Sequence, residues 1–125
     1  MPTTTIIFCC EEDSSAPFLD WFGRLPEKAK VQCRARLGLL ADQGHQLRRP
    51  AADYLRDGIY ELRAKAGRIQ YRMLYFFHGR QAVVISHGIT KQESVVPPME
   101  IERARWRRQV FEADPPQHTH KETTL

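Results

Sequence analysis

The sequence predicts a single α+β domain, in which a twisted, mainly antiparallel sheet packs on a helix pair in the order β-α-α-β-β-β-α. Two-residue alternation with short turns runs from residue 59 to residue 90, and apolar positions recur at helical spacing in two other segments. No repeat or boundary divides the 125 residues. We therefore expect one domain over residues 1–113 and a flexible C-terminal tail over residues 114–125.

The first half of the chain is predicted to hold one strand and two helices. Thr3 to Cys10 is rich in β-branched residues and is interpreted as a strand, which a short helix ending at Phe22 follows. A second helix is predicted over Glu27 to Asp42, where apolar residues recur at helical spacing. His45 to Asp57 lacks a clear period and contains Pro50, so it is predicted to be a loop.

The second half is predicted to form a three-stranded antiparallel meander and a final helix. Strands are expected over Ile59–Ala66, Ile69–Phe77 and Gln81–Thr90, because the connections between them are short enough to be hairpin turns. Pro97-Pro98 opens a helix that is expected to end near Ala113. Its sheet-facing residues are predicted to be Ile101, Ala104 and Phe111, with Trp106 and Val110 on a second stripe.

Cysteine usage and hydropathy exclude several protein classes. Cys9, Cys10 and Cys33 are too few and too irregularly spaced for a disulfide framework or a zinc site, which suits a reducing compartment. The N-terminus lacks the pattern of a signal peptide, and no apolar run approaches the length of a membrane span. We expect a cytoplasmic protein with no metal, no cofactor and no membrane contact.

Positive charge is concentrated in the meander. The net charge is +4, and no acidic residue occurs from Leu62 to Gln92. Six cations fall in this interval: Arg63, Lys65, Arg68, Arg72, Arg80 and Lys91. Four aromatic residues lie among or beside them, of which one or two are candidates for stacking on RNA bases: Tyr60, Tyr71, Tyr75 and Phe76. Such a basic patch is the electrostatic footprint of a nucleic-acid binder.

Arg63 and Arg72 are predicted to lie nearly opposite each other on the first two strands of the meander. Two guanidiniums this close repel each other, so the arrangement requires a partner. In one interpretation the pair holds a phosphodiester, whose oxygens match the planar fork of arginine. In the other, Glu61 offsets one of the charges and the pair is structural. The residues alone favour neither interpretation.

Two further residues of the meander are candidates for a site. His87, near the end of the third strand, can shuttle protons, although a hydrogen-bonded structural histidine is the commoner role. Lys91 lies where that strand ends and is either an ordinary surface lysine or a further cation of the site. His118 and His120, in the predicted tail, are expected to lie at the surface.

Four segments occur together in a specific order. They are Leu55-Arg56-Asp57-Gly58-Ile59-Tyr60-Glu61-Leu62-Arg63, Tyr71-Arg72-Met73-Leu74-Tyr75-Phe76, His87-Gly88-Ile89-Thr90-Lys91 and Glu100-Ile101-Glu102-Arg103-Ala104. This set resembles the phage-derived HigB-like branch of the RelE/ParE toxin superfamily. The resemblance covers the chain from Leu55 to Arg108 and implies a RelE-like fold.

The resemblance implies the toxin of a type II toxin–antitoxin system. Such toxins are ribosome-dependent, metal-independent mRNA endonucleases that drive the ribose 2′-hydroxyl onto the adjacent phosphate. The implied partners are mRNA on the ribosome and a helix-turn-helix antitoxin, through which alone the protein would contact DNA. The implied catalytic residues are Arg63, Arg72 and Lys91, with His87 as a further candidate. The residues expected to contact RNA are Lys65, Arg68, Tyr71 and Gln92.

The chain departs from the pattern of this superfamily in its third segment. Gln92 replaces a second basic residue, Ile89 replaces an aromatic one, and no clear tyrosine follows Lys91. Each lost cation removes on the order of a few kcal/mol of transition-state stabilisation, so slower or absent cleavage stays open. The general base is unassigned, with His87 and Tyr71 as candidates.

Two other function classes therefore stand beside the nuclease. The first is a degenerate toxin homologue that binds an antitoxin or RNA without cutting, which the neutral Gln92 favours. The second is a structural or phage-assembly protein built on the same fold, which the acid-free basic interval disfavours. Growth arrest on induced expression separates the nuclease from both.

Overall fold

The computed structural model describes residues 4–91 and 95–122, apart from the side chain of Lys91. The strands are β1 (Thr5–Cys9), β2 (Ala52–Arg56), β3 (Ile59–Ala66), β4 (Ile69–His78), β5 (Ala82–Lys91) and β6 (Thr119–His120). The helices are α1 (Pro17–Gly23), α2 (Glu27–Gln43) and α3 (Pro98–Ala113), with 3₁₀ turns at Gly44–Gln46 and Pro115–His118. The predicted α+β class is confirmed.

All the strands belong to one sheet, in the order β2-β3-β4-β5-β1-β6. Neighbouring strands are antiparallel except for β1 and β5, which run parallel. The helices α1 and α2 pack on one face of the sheet, as predicted for the helix pair, and α3 packs on the other. Within the described ranges, no helix combines the length and the apolar character needed to cross a membrane.

Each face of the sheet has its own apolar core. Under α1 and α2, the rings of Phe8 and Phe18 stack with their centroids 5.0 Å apart. Under α3, Phe111 meets Phe76 of β4 at 5.9 Å, and the predicted inward residues of this helix are all buried: Ile101, Ala104 and Phe111. Because sheet residues alternate between faces, β3, β4 and β5 supply apolar side chains to both cores.

The prediction of a loop over His45 to Asp57 is wrong in its second part, because Ala52–Arg56 forms β2 and pairs with β3. The turn between them consists of Asp57 and Gly58, which both have positive φ, 53° and 82°. Positive φ at both central residues defines the type I′ hairpin turn, for which Asp-Gly is a preferred sequence. Asp57-Gly58 is therefore a hairpin signal in the sequence. The hairpin was not predicted because the strand before it lacks a regular alternation of apolar residues.

The C-terminal segment also differs from the expectation of an irregular tail. Residues Thr119 and His120 pair with β1 as the short strand β6. His118, expected at the surface, is buried, and its Nδ1 lies 2.8 Å from the carbonyl oxygen of Cys10. The sequence gives little sign of this contact, because two strand residues are too few to show an alternation.

Gly88 positions the first helix on the sheet. It lies on β5 directly beneath Trp21 of α1, and a Cβ at Gly88 would come within 2.2 Å of the indole ring. The indole Nε1 donates a hydrogen bond to Thr90 Oγ1 at 3.1 Å. A glycine is needed here because only a missing side chain lets the ring approach the strand so closely.

We expect Gly88→Ala to lower the free energy of unfolding by about 1–3 kcal/mol, because the added methyl group overpacks the contact with Trp21. Gly38→Ala is the matched control. Gly38 lies within α2 with open space around its Cα, so the same change is expected to stabilise by about 0.5–1 kcal/mol. Urea unfolding followed by circular dichroism measures both. A Gly88→Ala protein as stable as the wild type would contradict this role of the glycine.

Candidate nucleic-acid interface

Four of the predicted site residues of the meander lie on the sheet face on which α3 packs: Arg63, Lys65, Arg72 and His87. Directly opposed residues of neighbouring strands project to the same face, so the register of β3, β4 and β5 defines three cross-strand rows. The first row is Glu61, Leu74 and His87; the second is Arg63, Arg72 and Ile89; in the third, the backbones of Lys65, Gln70 and Lys91 are paired. The predicted opposition of the two arginines is confirmed.

Glu61 is the partner of both arginines. Its Oε1 accepts a hydrogen bond from Arg72 Nη1, and its Oε2 lies 3.1 Å from Arg63 Nη2. Arg63 also reaches Asp53 on β2 at 3.3 Å. Glu61 and Arg72 are only 3% and 4% exposed, so this ion pair is desolvated and each charge depends on the other. The carboxylate relieves the arginine repulsion, as the structural interpretation of the pair requires.

A cavity of about 390 Å³ opens beside the two arginines. It lies where β3 continues past its last pairing with β2, at Ala52 and Leu62, and is lined by Arg36, Pro50, Arg63, Ala64, Lys65, Gln70 and Arg72. Of its four cations, Arg36 and Lys65 make no ion pair within the part of the chain that the structure describes. The cavity therefore keeps a net positive lining even though the other two cations are paired.

His87 belongs to a buried polar network beneath α3. Its Nε2 lies 3.0 Å from Glu100 Oε1, and its Nδ1 lies 2.8 Å from Ser86 Oγ and 3.3 Å from Arg107 Nη1. Because an arginine only donates, Nδ1 must accept and the ring proton must sit on Nε2, directed at Glu100. Burial, then Arg107, lowers the pKa of His87 to about 4 against the favourable effect of Glu100. The ring is thus neutral near pH 7 and held in place on both sides.

The remaining predicted residues are placed differently. Lys65 and Arg68 are exposed, at the end of β3 and in the turn that follows it. Tyr71 is not brought to this surface: it is 2% exposed on the opposite face, with its ring centroid 6.2 Å from that of Trp21. A buried ring cannot stack on a base, so Tyr71 is a core residue. Lys91 ends β5 opposite Gln70, and Gln92 lies outside the described residues.

Sequence reasoning missed three contributors to this surface. Gln70 contacts the guanidinium of Arg72, and its position two residues earlier on the same strand is a signal that could have found it. Arg36 on α2 and Asp53 on β2 reach the site through tertiary packing. No spacing in the sequence relates these two residues to the meander.

The cysteines add no nucleophile to this surface. All three are buried and free. Burial raises the pKa of Cys9 to about 11 and that of Cys33 to about 12, so both stay protonated thiols near neutral pH.

Comparison with protein families gives a match over most of the chain. A family model described as "Phage derived protein Gp49-like (DUF891)" matches residues 20–109. The matched interval includes β2 to β5 and most of α3, and with them the rows of residues described above. A comparison with curated proteins found no match.

We expect Arg72→Ala to destabilise the fold by about 3–5 kcal/mol, because it leaves the buried Glu61 without its buried partner. Replacing both partners, Glu61→Leu with Arg72→Met, is expected to recover most of this loss. Arg63→Ala is the matched single change and should cost less, since its side chain is 32% exposed and Glu61 keeps Arg72. Equal losses in urea unfolding for the two single variants would contradict the assigned pairing.

Stability is expected to fall as the pH decreases from about 6.5 to about 4, because the unfolded chain protonates His87 first. Above about pH 6.5 the neutral ring contributes its full stabilisation. Across this window the free energy of unfolding is expected to fall by an amount on the order of 2–3 kcal/mol. Glu100, Arg107 and Arg103 are the charged groups that act on the ring. The lowered pKa values of Asp53 and Glu102 act below their ordinary values of 3.8 and 4.5, so they contribute mainly under this window.

The control for the pH dependence is His87→Gln, whose amide can still donate to Glu100 but does not titrate. Unfolding free energies of both proteins measured from pH 7.5 to pH 4 are expected to diverge as the pH decreases, since only the wild type loses this contribution. Parallel curves for the two proteins would contradict the depressed pKa of His87.

Proposed function

The chain belongs to the phage-derived Gp49-like family, a toxin-like family of the RelE/HigB-like toxin superfamily, and on this premise we propose that it is the toxin of a type II toxin–antitoxin system. Its proposed activity is cleavage of ribosome-bound mRNA, as in the HigB branch. The observation that supports this activity is the cavity beside Arg63, where four cationic side chains meet on a strand end. The size and charge of this cavity suit a phosphodiester.

In the proposed reaction the ribose 2′-oxygen attacks the adjacent phosphorus and the bond to the 5′-oxygen breaks. The products are a 2′,3′-cyclic phosphate and a 5′-hydroxyl, which takes up the proton that the 2′-hydroxyl gives up. Arg63 and Lys65 would contact the phosphate, and Lys91 would complete the set from β5. Cations aimed at the developing charge and alignment of the 2′-hydroxyl are the sources of acceleration in such a site.

Arg72 has a different part in this proposal, because it is only 4% exposed and its guanidinium contacts Glu61 and Gln70. Through Glu61 it sets the position of the Arg63 guanidinium, and it is therefore a positioning residue. His87 is assigned no proton transfer here. Its ring is buried under α3, and its nitrogens are occupied by Glu100, Ser86 and Arg107. The proton of the 2′-hydroxyl would reach the leaving 5′-oxygen through water or a group of the ribosome.

The proposed partners follow from the same premise. A helix-turn-helix antitoxin would hold the toxin silent, and any contact with DNA would be made through the antitoxin. Arg36 and Lys65 of the cavity, which make no ion pair within the described residues, give an acidic segment of such a partner complementary charge. The proposed place of action is the cytoplasm, where ribosomes and message are available.

One alternative function has specific support. A homologue that binds RNA or an antitoxin without cutting is favoured by the pairing of Arg63 and Arg72 with Glu61 and Asp53. These two carboxylates offset the two guanidiniums, so a phosphate must compete with them for the arginine donors. This competition lowers the free energy gained when the phosphate binds. Less binding energy is then available to stabilise the transition state.

The test is induced expression of the wild type beside Arg63→Gln and Lys65→Gln, with mRNA 5′ ends mapped in each culture. We expect growth arrest and new 5′-hydroxyl ends within translated message for the wild type. Loss of one cation should reduce cutting on the order of 100–1,000-fold, as the removal of single donors does in other sites. Arg80→Gln is the control, because Arg80 is exposed in the turn between β4 and β5 at the other end of the meander.

The outcomes separate the two candidate functions. Normal growth and intact message, with the folded wild-type protein present in the cells, would overturn the nuclease and favour the non-cleaving module. Cutting that Arg63→Gln and Lys65→Gln leave unchanged would remove these residues from the site while retaining the toxin. Equal losses for Arg80→Gln would show that net charge, and not this cavity, controls the activity.

A further inference from the structure

A second cavity lies at the β2 edge of the sheet and is distinct from the cavity that Arg63 and Arg72 line. Its volume is about 430 Å³, within the range of pockets that hold small ligands, and it is lined by Leu47, Arg48, Arg49, Asp53, Tyr54 and Tyr60. Tyr54 and Tyr60 are paired in the register of β2 and β3, so both rings project to the same face. None of the sequence patterns that point to the first cavity includes Arg48, Arg49 or Tyr54.

The Tyr54 ring is held in place and yet open to solvent. It is 52% exposed, and its hydroxyl accepts a hydrogen bond from the amide of Gly58 at 3.0 Å. Its other support is Tyr60, whose ring meets it edge-on with the centroids 4.9 Å apart. An aromatic ring fixed in this way presents a preformed flat surface, and stacking on it costs little side-chain entropy.

The cation beside this ring lacks an acidic partner. Arg48 Nη1 donates to the backbone carbonyls of His45 and Leu47, and no carboxylate pairs with Arg48 in the described part of the chain. Nη2 and Nε make no hydrogen bond to any described residue and remain able to contact an anion. Arg49 differs, because Asp53 holds it at 2.8 Å. The cavity thus combines an anchored, uncompensated guanidinium with an open ring.

We propose that this cavity binds one nucleotide of single-stranded RNA, with the base stacked on Tyr54 and the phosphate on Arg48. A flat ring beside a guanidinium matches a base and its phosphate, the combination used where proteins bind single strands. A peptide anchor is a poorer match, because Leu47 is the one aliphatic residue in the lining and it is 5% exposed. The proposal rests on the proposed RNA-directed function.

The two cavities are connected through Asp53. Its carboxylate pairs with Arg49, which lines the second cavity, and with Arg63, which lines the first. An RNA strand that follows the β2 edge would therefore contact cations from Arg48 to Arg63. Asp53 lies between them, and its charge is already offset by its two arginine partners. The second cavity would hold the RNA beside the cleavage site and contribute affinity without touching the reacting phosphate.

The test is binding of the isolated full-length chain to a fluorescent ten-nucleotide single-stranded RNA, measured by anisotropy at several salt concentrations. Tyr54→Ala is expected to raise the Kd about tenfold, the usual effect of losing one stacked base. Arg48→Gln should raise the Kd and reduce the salt dependence by about one phosphate contact. RNA that carries 4-thiouridine should crosslink on irradiation to the peptide that contains Tyr54.

Two matched controls distinguish this cavity from the effect of any exposed cation and from the effect of any exposed aromatic ring. Trp106→Ala removes an aromatic ring that is 58% exposed on α3, and Arg80→Gln removes an exposed cation from the β4–β5 turn. Both are expected to bind like the wild type. Equal affinity of Tyr54→Ala, Arg48→Gln and the wild type would overturn the proposal, as would absence of RNA binding by the wild type. A crosslink elsewhere, with unchanged affinity of both variants, would likewise overturn the proposal.

The binding assay tests the pocket and the experiment in cells tests the nuclease, so either proposal can be contradicted without the other. Weakened RNA binding by Tyr54→Ala in a protein that never cuts message supports the pocket and removes the nuclease. Undiminished binding by Tyr54→Ala and Arg48→Gln in a protein that does cut removes the pocket and keeps the nuclease.

Discussion

The arrangement of this sheet depends on one buried carboxylate. Arg63 and Arg72 face each other across β3 and β4, and Glu61 lies one cross-strand row away and contacts both guanidiniums. Without it two like charges would be held together in a poorly solvated place, which is unfavourable wherever the pair cannot move apart. With it, the guanidiniums stay oriented, and Arg63 and Arg72 line an accessible cavity. The same contact therefore stabilises the fold and orients the donors of the candidate site.

The same ion pairs also determine how strongly the cavity binds an anion. Glu61 and Asp53 offset the two arginines, while Arg36 and Lys65 keep charge that is not paired within the described residues. An incoming phosphate is attracted by the unpaired cations and then shares the donors of Arg63 with its carboxylates. The affinity of the site thus reflects a difference between two sets of ion pairs, which makes it sensitive to salt.

The sequence predicted the central part of the molecule well and its edges poorly. The meander was found because Ile59–Ala66 alternates strictly and its turns are short, and the register then followed from those turns. The opposition of Arg63 and Arg72 is a direct result of that register. The edge strands β2 and β6 were missed, since the apolar residues of β2 do not alternate along its whole length and β6 has only two residues in all.

The candidate site was predictable to the same extent as the strands that carry it. Positions on β3, β4 and β5 could be related to one another by counting from the turns, whereas Arg36 and Asp53 could not, because they arrive from elements distant in sequence. His87 and Tyr71 show a second limit. Alternation places a side chain on one face or the other, but only α1 and α3 determine that Tyr71 is covered by Trp21 and His87 by Glu100.

The position of β1 in the sheet has a consequence for how the chain folds during its synthesis. β1 is made first, but its partners are β5 and the two-residue strand β6, which lie far along the chain. At ordinary rates of translation its backbone groups wait on the order of seconds for β5 to emerge, and longer for β6. Until then Ile7, Phe8 and Cys9 are an unpaired apolar strand, the kind of segment that nascent-chain chaperones bind. Completion of the sheet therefore waits for the synthesis of β6, the last of its strands in sequence.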